Sequence, residues 1–413
     1  MSMDSKVPEI RFKGFGGEWV ENNLGELIDI RSAARVHKEQ WTEAGVPFFR
    51  TSDVVSIYKG QENTKAYISH EVYNDLSEKI GKVTKDDLLI TGGGSIGIPY
   101  LVPNDDPLYF KDADLLWLKN NKKFNGYFLY TFFFSAPFKK HIKGISHTGT
   151  IAHYTIEQAK ATPINTCYDE EQTQIGNYFQ KLDALINQHQ QKHDKLRNIK
   201  KSMLEKMFPK QGKTIPEIRF KRFSGEWLNN PIGEICGTTF GGGTPSTSEK
   251  SFWQGDIPWI QSSDLKDGSV SSITAKKSIT KAAVNKSATK LVPSNSIAIV
   301  TRVGVGKLSL MEGEYATSQD FLSLSDLKVD AQFSAYAIWK LLQTEKEQVQ
   351  GTSIKGITKE ELLSKTINCP ETEPEQTQIG NYFQKLDALI NQHQQQITKL
   401  NNIKQACLSK MFV

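Results

Sequence analysis

One stretch limits what this chain can become. EQTQIGNYFQKLDALINQHQQ occurs twice without a change, at Glu171–Gln191 and again at Glu375–Gln395. Around each copy the apolar residues keep helical steps of three and four: Ile175, Phe179, Leu182 and Ile186, then Leu196, Ile199, Met203 and Met207 in the first. Neither copy contains proline, and the only glycine in each, Gly176 or Gly380, falls in the first turn. The pattern predicts helices over about 171–208 and 375–412, each roughly 57 Å long. Their apolar seam is too narrow to be sealed inside one domain, so each helix needs a partner of its own kind. Such a pair can be glue between the halves of a duplicated chain, or a ruler that holds two other units at a fixed spacing.

The duplication runs through the whole chain. VPEIRFKGFGGEW (Val7–Trp19) returns as IPEIRFKRFSGEW (Ile215–Trp227), and a polar breaker, PKQGKT (Pro209–Thr214), separates the halves. Between header and helix the identity falls while the pattern persists. VPFFRTSDV (Val46–Val54) answers to IPWIQSSDL (Ile257–Leu265), and DDLLITGGGSIG (Asp86–Gly97) to NSIAIVTRVGVG (Asn295–Gly306). GTIAHYTIEQAKATPI (Gly149–Ile164) answers to GTSIKGITKEELLSKTI (Gly351–Ile367). Short apolar runs at Asp87–Ile90, Leu115–Leu118, Ser296–Val300 and Leu308–Met311 read as strands, and Phe124–Phe134 and Gln332–Gln343 as helices. The expected fold is α+β: two pseudo-symmetric globular domains, each followed by its long helix, with the helices packed as an antiparallel coiled coil. A constant frame around divergent middles suits a protein that varies what it reads.

With 413 residues, a net charge of +5 and a pI near 8.7, the chain has room for several domains and tolerates an acidic partner such as DNA. Its four cysteines form no Cys-x-x-Cys pair, and its eight histidines show no metal-ligand spacing. No signal peptide is visible, and the most apolar run, Tyr127–Phe134, is too short to span a bilayer, so the cytoplasm is expected and a membrane is not. Catalytic motifs fail on inspection. FKGFG (Phe12–Gly16) matches a methyltransferase S-adenosylmethionine loop, but no strand precedes it and the second copy reads FKRFS. GGGSIG (Gly92–Gly97) is followed by Ile98-Pro99 where a nucleotide-binding helix would open, which favours a strand-to-strand turn. GVGKLS (Gly304–Ser309) lacks P-loop spacing, and the nuclease Pro-Asp start and the Asn-Pro-Pro-Tyr or Asp-Pro-Pro-Tyr methylation motifs are absent.

The ordered set of duplicated features resembles the specificity subunit of a type I restriction–modification system. It comprises the GGGTPS segment (Gly241–Ser246) leading to GDIPWIQSSDL (Gly255–Leu265), the VTRVGVG turn, the SQDF tetrad (Ser318–Phe321) and the EQTQIG helix starts. The resemblance implies target-recognition domains at 1–165 and 211–369 and conserved helical regions at 166–210 and 370–413. Each domain would read one half of a bipartite site in double-stranded DNA, and the helix pair would set the spacer. Two methyltransferase subunits would dock on the helices and bring restriction subunits with them. The chain itself would be non-catalytic and bind no cofactor, with S-adenosylmethionine, ATP and Mg on the partner subunits. The first middle departs from the pattern: RSAARVHKEQW (Arg31–Trp41) stands in place of GGGTPS, and FKDAD (Phe110–Asp114) in place of SQDF. A coiled-coil scaffold with two protein-binding heads is the competing expectation.

Residues suited to bases and phosphates follow from side-chain chemistry. In the second middle they are Thr244, Ser246, Gln261, Ser262, Ser263, Thr301 and, first among them, Arg302. By position in the repeat the first middle offers Arg50, Thr51, Ser52, Thr91 and Ser95, with Arg31, Arg35, Lys38 and the cluster Lys139, Lys140 and Lys143 in addition. Asp53, Asp264 and Asp320 suit turns and caps, because phosphate repels a carboxylate. Lys181 and Lys385 mark the expected docking faces of the two helices.

Overall fold

The computed structural model describes residues 6–146, 153–271, 273–348 and 356–413. The opening residues of the repeated segments that begin at Gly149 and Gly351 lie outside this set. The long helices form where the pattern places them, Asp169–Lys206 and Glu373–Lys410, each within two residues of expectation. Carboxylates in each first turn and a lysine at each end complement the helix dipole.

Compact units do not follow the halves of the sequence. One comprises Met1–His189 with Gln396–Val413, and the other Gln190–Gln395, so each long helix changes unit midway. Within the first unit the start of the first helix meets the end of the second. Asp183 accepts from the Lys404 ammonium at 2.5 Å, and Tyr178 Oη lies 3.6 Å from Cys407 Sγ. Within the second unit Lys200 reaches Asp387 at 2.5 Å, and the rings of Phe208 and Phe383 are 5.9 Å apart. In both units the residue numbers fall along one helix as they rise along the other, so the packing is antiparallel. Phe179 and Phe383 are fully buried there, and each such side chain contributes about 1.5–3 kcal/mol relative to exposure.

Each header is clamped to its own unit. Arg11 donates from Nε and Nη2 to the Glu171 carboxylate at 2.6 and 2.7 Å, and Arg219 repeats the fork on Glu375 at 2.7 Å. Ile10 N donates to Lys410 O, and Ile218 N to Lys206 O. The glycine of EQTQIG has a steric reason. A Cβ on Gly380 would lie 2.8 Å from Phe333 N, and one on Gly176 would collide with Asn125 Oδ1 and lie 3.0 Å from Phe128 N. Both glycines therefore receive the N-terminus of a domain helix, Gly126–Phe132 capped by Asn125, or Ala331–Gln348, where Asp330 Oδ1 accepts from Phe333 N.

The two middles share one frame. In the first, the strands Asp29–Arg31, Leu115–Lys119, Leu88–Thr91 and Pro99–Leu101 form an antiparallel sheet in that spatial order. In the second, Cys236–Gly241, Phe321–Leu327, Ser296–Val300 and Leu308–Met311 repeat the order. A second sheet accompanies it in each, with a parallel pair: Val46–Phe49 beside Tyr109–Phe110, and Ile257–Ile260 beside Ala316–Thr317. Antiparallel pairs close both middles, Val20–Asn23 with Pro163–Thr166 and Leu228–Pro231 with Thr366–Cys369. Among the described residues, no helix is long and apolar enough to cross a membrane.

Candidate nucleic-acid interface

In the second unit three segments converge on the loop Thr317–Asp320. Gly243 N donates to Thr317 O at 2.9 Å, and Ser318 N to Ile260 O at 2.9 Å. Thr301 N donates to Asp320 O at 2.7 Å. The glycine-rich turn can approach this closely because it lacks side chains: a Cβ on Gly242 would collide with Ser318 O, and one on Gly243 would lie 2.6 Å from the Ala288 carbonyl carbon. Gly243 O then accepts from Trp259 Nε1 and Thr289 Oγ1, which anchors the turn from beneath. The convergence presents Thr244, Ser246, Ser263 and Arg302 as exposed side chains, with Gln261 and Ser262 half-buried beside them. Thr244 Oγ1 donates to Gln319 Oε1 at 2.6 Å, while Ser246 shares a hydroxyl contact with Ser248 at 2.7 Å. The exposed Gln319, inside the SQDF tetrad, belongs to this surface and was absent from the sequence candidates; its signal was an amide, a bidentate reader of adenine, within a motif already noted.

The carboxylates do what turn chemistry expects. Asp53 Oδ2 accepts from Arg50 N at 2.8 Å, and Asp264 Oδ2 from Gln261 N at 3.0 Å, in equivalent capping boxes. Asp320 Oδ2 accepts from Ser318 Oγ at 3.3 Å.

Three expected contact residues are spent on the frame. Thr301 is buried, and its hydroxyl donates to Asp320 O. Thr91 is 0% exposed; its hydroxyl donates to Ser95 O and accepts from Ile98 N, which braces the turn. The register follows the pairing of Asp86–Gly97 with Asn295–Gly306. Thr91 N bonds Ile98 O as Val300 N bonds Lys307 O, and Gly92 N bonds Asp114 O as Thr301 N bonds Asp320 O. Thr91 therefore stands opposite Val300, Gly92 opposite Thr301, and Gly93 opposite Arg302. Arg50 likewise turns inward, with Nε donating to Asp53 at 2.9 Å, Nη2 to Thr64 O, and its guanidinium 5.9 Å from the Trp41 ring.

The remaining candidates of the first unit fall in separate groups on different elements. Ser52 and Ser95 are exposed, and Thr51 Oγ1 donates to Asp114 O at 3.3 Å. Arg31 is exposed at the end of a short strand, where it pairs with Asp29 and reaches Ile80 O at 3.4 Å. Arg35 and Lys38 are exposed on the loop beyond it. Lys139, Lys140 and Lys143 stand exposed on the helix Ala136–Ser146. Lys181 and Lys385 are exposed on the long helices, each within its own unit.

The pattern of the family described as type I restriction modification DNA specificity domain matches residues 16–198 and again 224–402. The chain is 28% identical over 192 residues to the type I restriction enzyme MjaIX specificity subunit of Methanocaldococcus jannaschii, a match covering 44% of this chain and 42% of that one. It is 28% identical over 167 residues to a putative type I restriction enzyme specificity subunit of Haemophilus influenzae, covering 40% of each. These matches thus span about two fifths of the length of the curated relatives. In fold, the crystal structure of a type I restriction–modification S subunit from M. genitalium superposes with a TM-score of 0.65 over 98% of this chain and 99% of that one, at 15% identity. One copy of the family pattern falls in each half of the duplicated chain, and the chain belongs to the type I restriction modification DNA specificity domain family.

Proposed function

We propose that this chain is the non-catalytic DNA-specificity subunit of a type I restriction–modification complex. Each middle reads one half of a bipartite site, and the long helices set the spacer between the half-sites. The helix faces that carry Lys181 and Lys385 dock two methyltransferase subunits, through which restriction subunits join. S-adenosylmethionine, ATP and Mg are bound by those partners. The observation that carries the reading is a frame kept between the two middles in the strand order of the main sheet and in the backbone hydrogen bonds that close its turn, while the side chains at the turn tips differ. Arg302, exposed on a hairpin tip, is suited to a bidentate contact with guanine O6 and N7.

Mapping modified bases in cells that carry variants of this gene tests the proposal. Replacing residues 20–160 with the middle of a relative should rewrite one half-site and leave the other and the spacer intact. Arg302→Ala should relax one position of the second half-site, at a cost of about 1–3 kcal/mol. A swap that rewrites both half-sites would defeat the two-reader arrangement. The absence of any sequence-specific DNA binding by the assembled complex would favour a scaffold with protein-binding heads.

A further inference from the structure

We propose that Val303 is a specificity-determining residue of the second unit, packing against the 5-methyl group of a thymine in the major groove; this rests on the DNA-reading function above. Val303 is 72% exposed, although it follows a strand whose apolar residues are all buried. The next apolar residues, Val305 and Leu308, turn inward and are buried at 7% and 1%. Nothing in the fold requires a branched apolar side chain at this tip.

The tip is held firmly from below. Thr301 bonds Asp320 O through both its amide and its hydroxyl, Val300 N bonds Lys307 O, and Ile357 N bonds Thr301 O at 2.7 Å. Gly304 and Gly306 take φ of +89° and +95°, which lets the hairpin reverse tightly and leaves no side chain at Gly304 to crowd Val303. A β-branched side chain has little rotamer freedom to lose, so it meets a partner surface at low entropic cost. The major groove, about 12 Å wide, admits a two-stranded ribbon, and the thymine methyl is its one apolar feature. Arg302 is adjacent, so the tip offers a guanidinium and a compact branched apolar side chain on consecutive residues.

The first unit shows that the frame alone does not demand such a residue. The same hydrogen bonds close its turn, but Gly93 and Gly94 stand where Arg302 and Val303 do, and Gly94 has a φ of +70°. At those two positions the turn has no side chain to offer.

The test uses the full chain assembled with its methyltransferase subunits and a duplex carrying its mapped site. Each thymine of either strand in the half-site assigned by Arg302→Ala is replaced in turn by deoxyuridine, which lacks only the methyl. At one position the substitution should weaken binding about fourfold, the worth of burying one methyl. Val303→Ala, at an exposed position that leaves the fold intact, should bind thymine and deoxyuridine there equally and respond normally elsewhere. A wild-type complex insensitive to every methyl deletion overturns the proposal while leaving the DNA-reading function standing. So does a methyl response that persists unchanged in Val303→Ala. A complex without sequence-specific binding overturns both.

Discussion

The same three-residue lock occurs in each unit, and the two copies differ in depth. In the second unit Lys200 and Asp387 side chains are 7% and 6% exposed; Asp387 also accepts from Tyr336 Oη at 2.7 Å, and Lys200 donates to Gly268 O at 2.8 Å. Trp339 lies 5.4 Å from the ammonium. In the first unit Lys404 and Asp183 are 21% and 18% exposed; Tyr127 Oη supplies the third contact at 2.8 Å, and Phe134 lies 5.7 Å from the ammonium. Burial pulls Lys200 below its ordinary pKa against the attraction of Asp387. It also pushes the Tyr127 and Tyr336 phenols up, an effect their carboxylate neighbours reinforce. The tyrosines come from non-equivalent positions: Tyr127 precedes Phe128, whose amide faces Gly176, whereas Tyr336 follows Phe333, whose amide faces Gly380. The helices bring identical aspartates, and the variable middles decide how far each is withdrawn from water. A region that diverges to read something new thus also resets the energetics of the constant region beneath it.

Removing the lysines should give the largest contrast. Lys200→Met strands a buried carboxylate and should destabilise the second unit by about 3–5 kcal/mol. Lys404→Met should cost about 1–2 kcal/mol in the wetter lock. Native-state hydrogen exchange followed separately in Gln190–Gln395 and in the rest of the chain reads both, and equal losses would break the comparison. The helix-start glycines come next. Gly380→Ala drives a methyl against the Phe333 backbone and should cost about 1–3 kcal/mol. Gly176→Ala should cost less, because the closest atom is the Asn125 amide oxygen, whose displacement gives up a helix cap but moves no backbone. Denaturant midpoints of the two variants decide the order.

The smallest effect is a pH dependence confined to one unit. Burial pushes Lys340 down to about 8. Below that pH both folded and unfolded chains carry the proton, and the fold bears the cost of the buried charge. Between about 8 and the ordinary lysine value of 10.5 the unfolded chain binds more protons, so stability should rise with pH. Lys340→Met should flatten the rise in a thermal melt of the second unit. Counting from Phe128 and Phe333, the first unit has Ser135 in place of Lys340 and should show no such contribution.

Much of this architecture was legible because repetition doubles every signal. The long helices, the hairpins around GGGSIG and GVGKLS, and the caps at Asp53 and Asp264 all follow from local chemistry that each half states independently. The equivalence of FKDAD with SQDF also holds: Lys111 N bonds Phe49 O as Ser318 N bonds Ile260 O. What escaped was non-local. An arginine in sequence looks available, but Arg50 is consumed by Asp53 and Thr64 once the chain closes around it. Thr91 looks equally available, yet it is fully buried and its hydroxyl is taken up by Ser95 O and Ile98 N. Gln319 and Val303 gain meaning only from the exposure that the loop around Asp320 gives them. Nor does a helical seam tell which domain its far end will pack upon.

That last feature bears on the order of assembly during translation. Gln190–Gln395 is one uninterrupted run, so the second unit has all its parts as soon as residue 395 clears the ribosome. The first unit is synthesised earlier but needs Gln396–Val413, where Cys407, Leu408, Met411 and Phe412 fill its core and Val413 O accepts from Asn165. Its phenylalanine-rich face must wait, exposed, while some two hundred further residues are added. The first domain is completed only after the second, and a stop before residue 396 would injure the beginning of the chain.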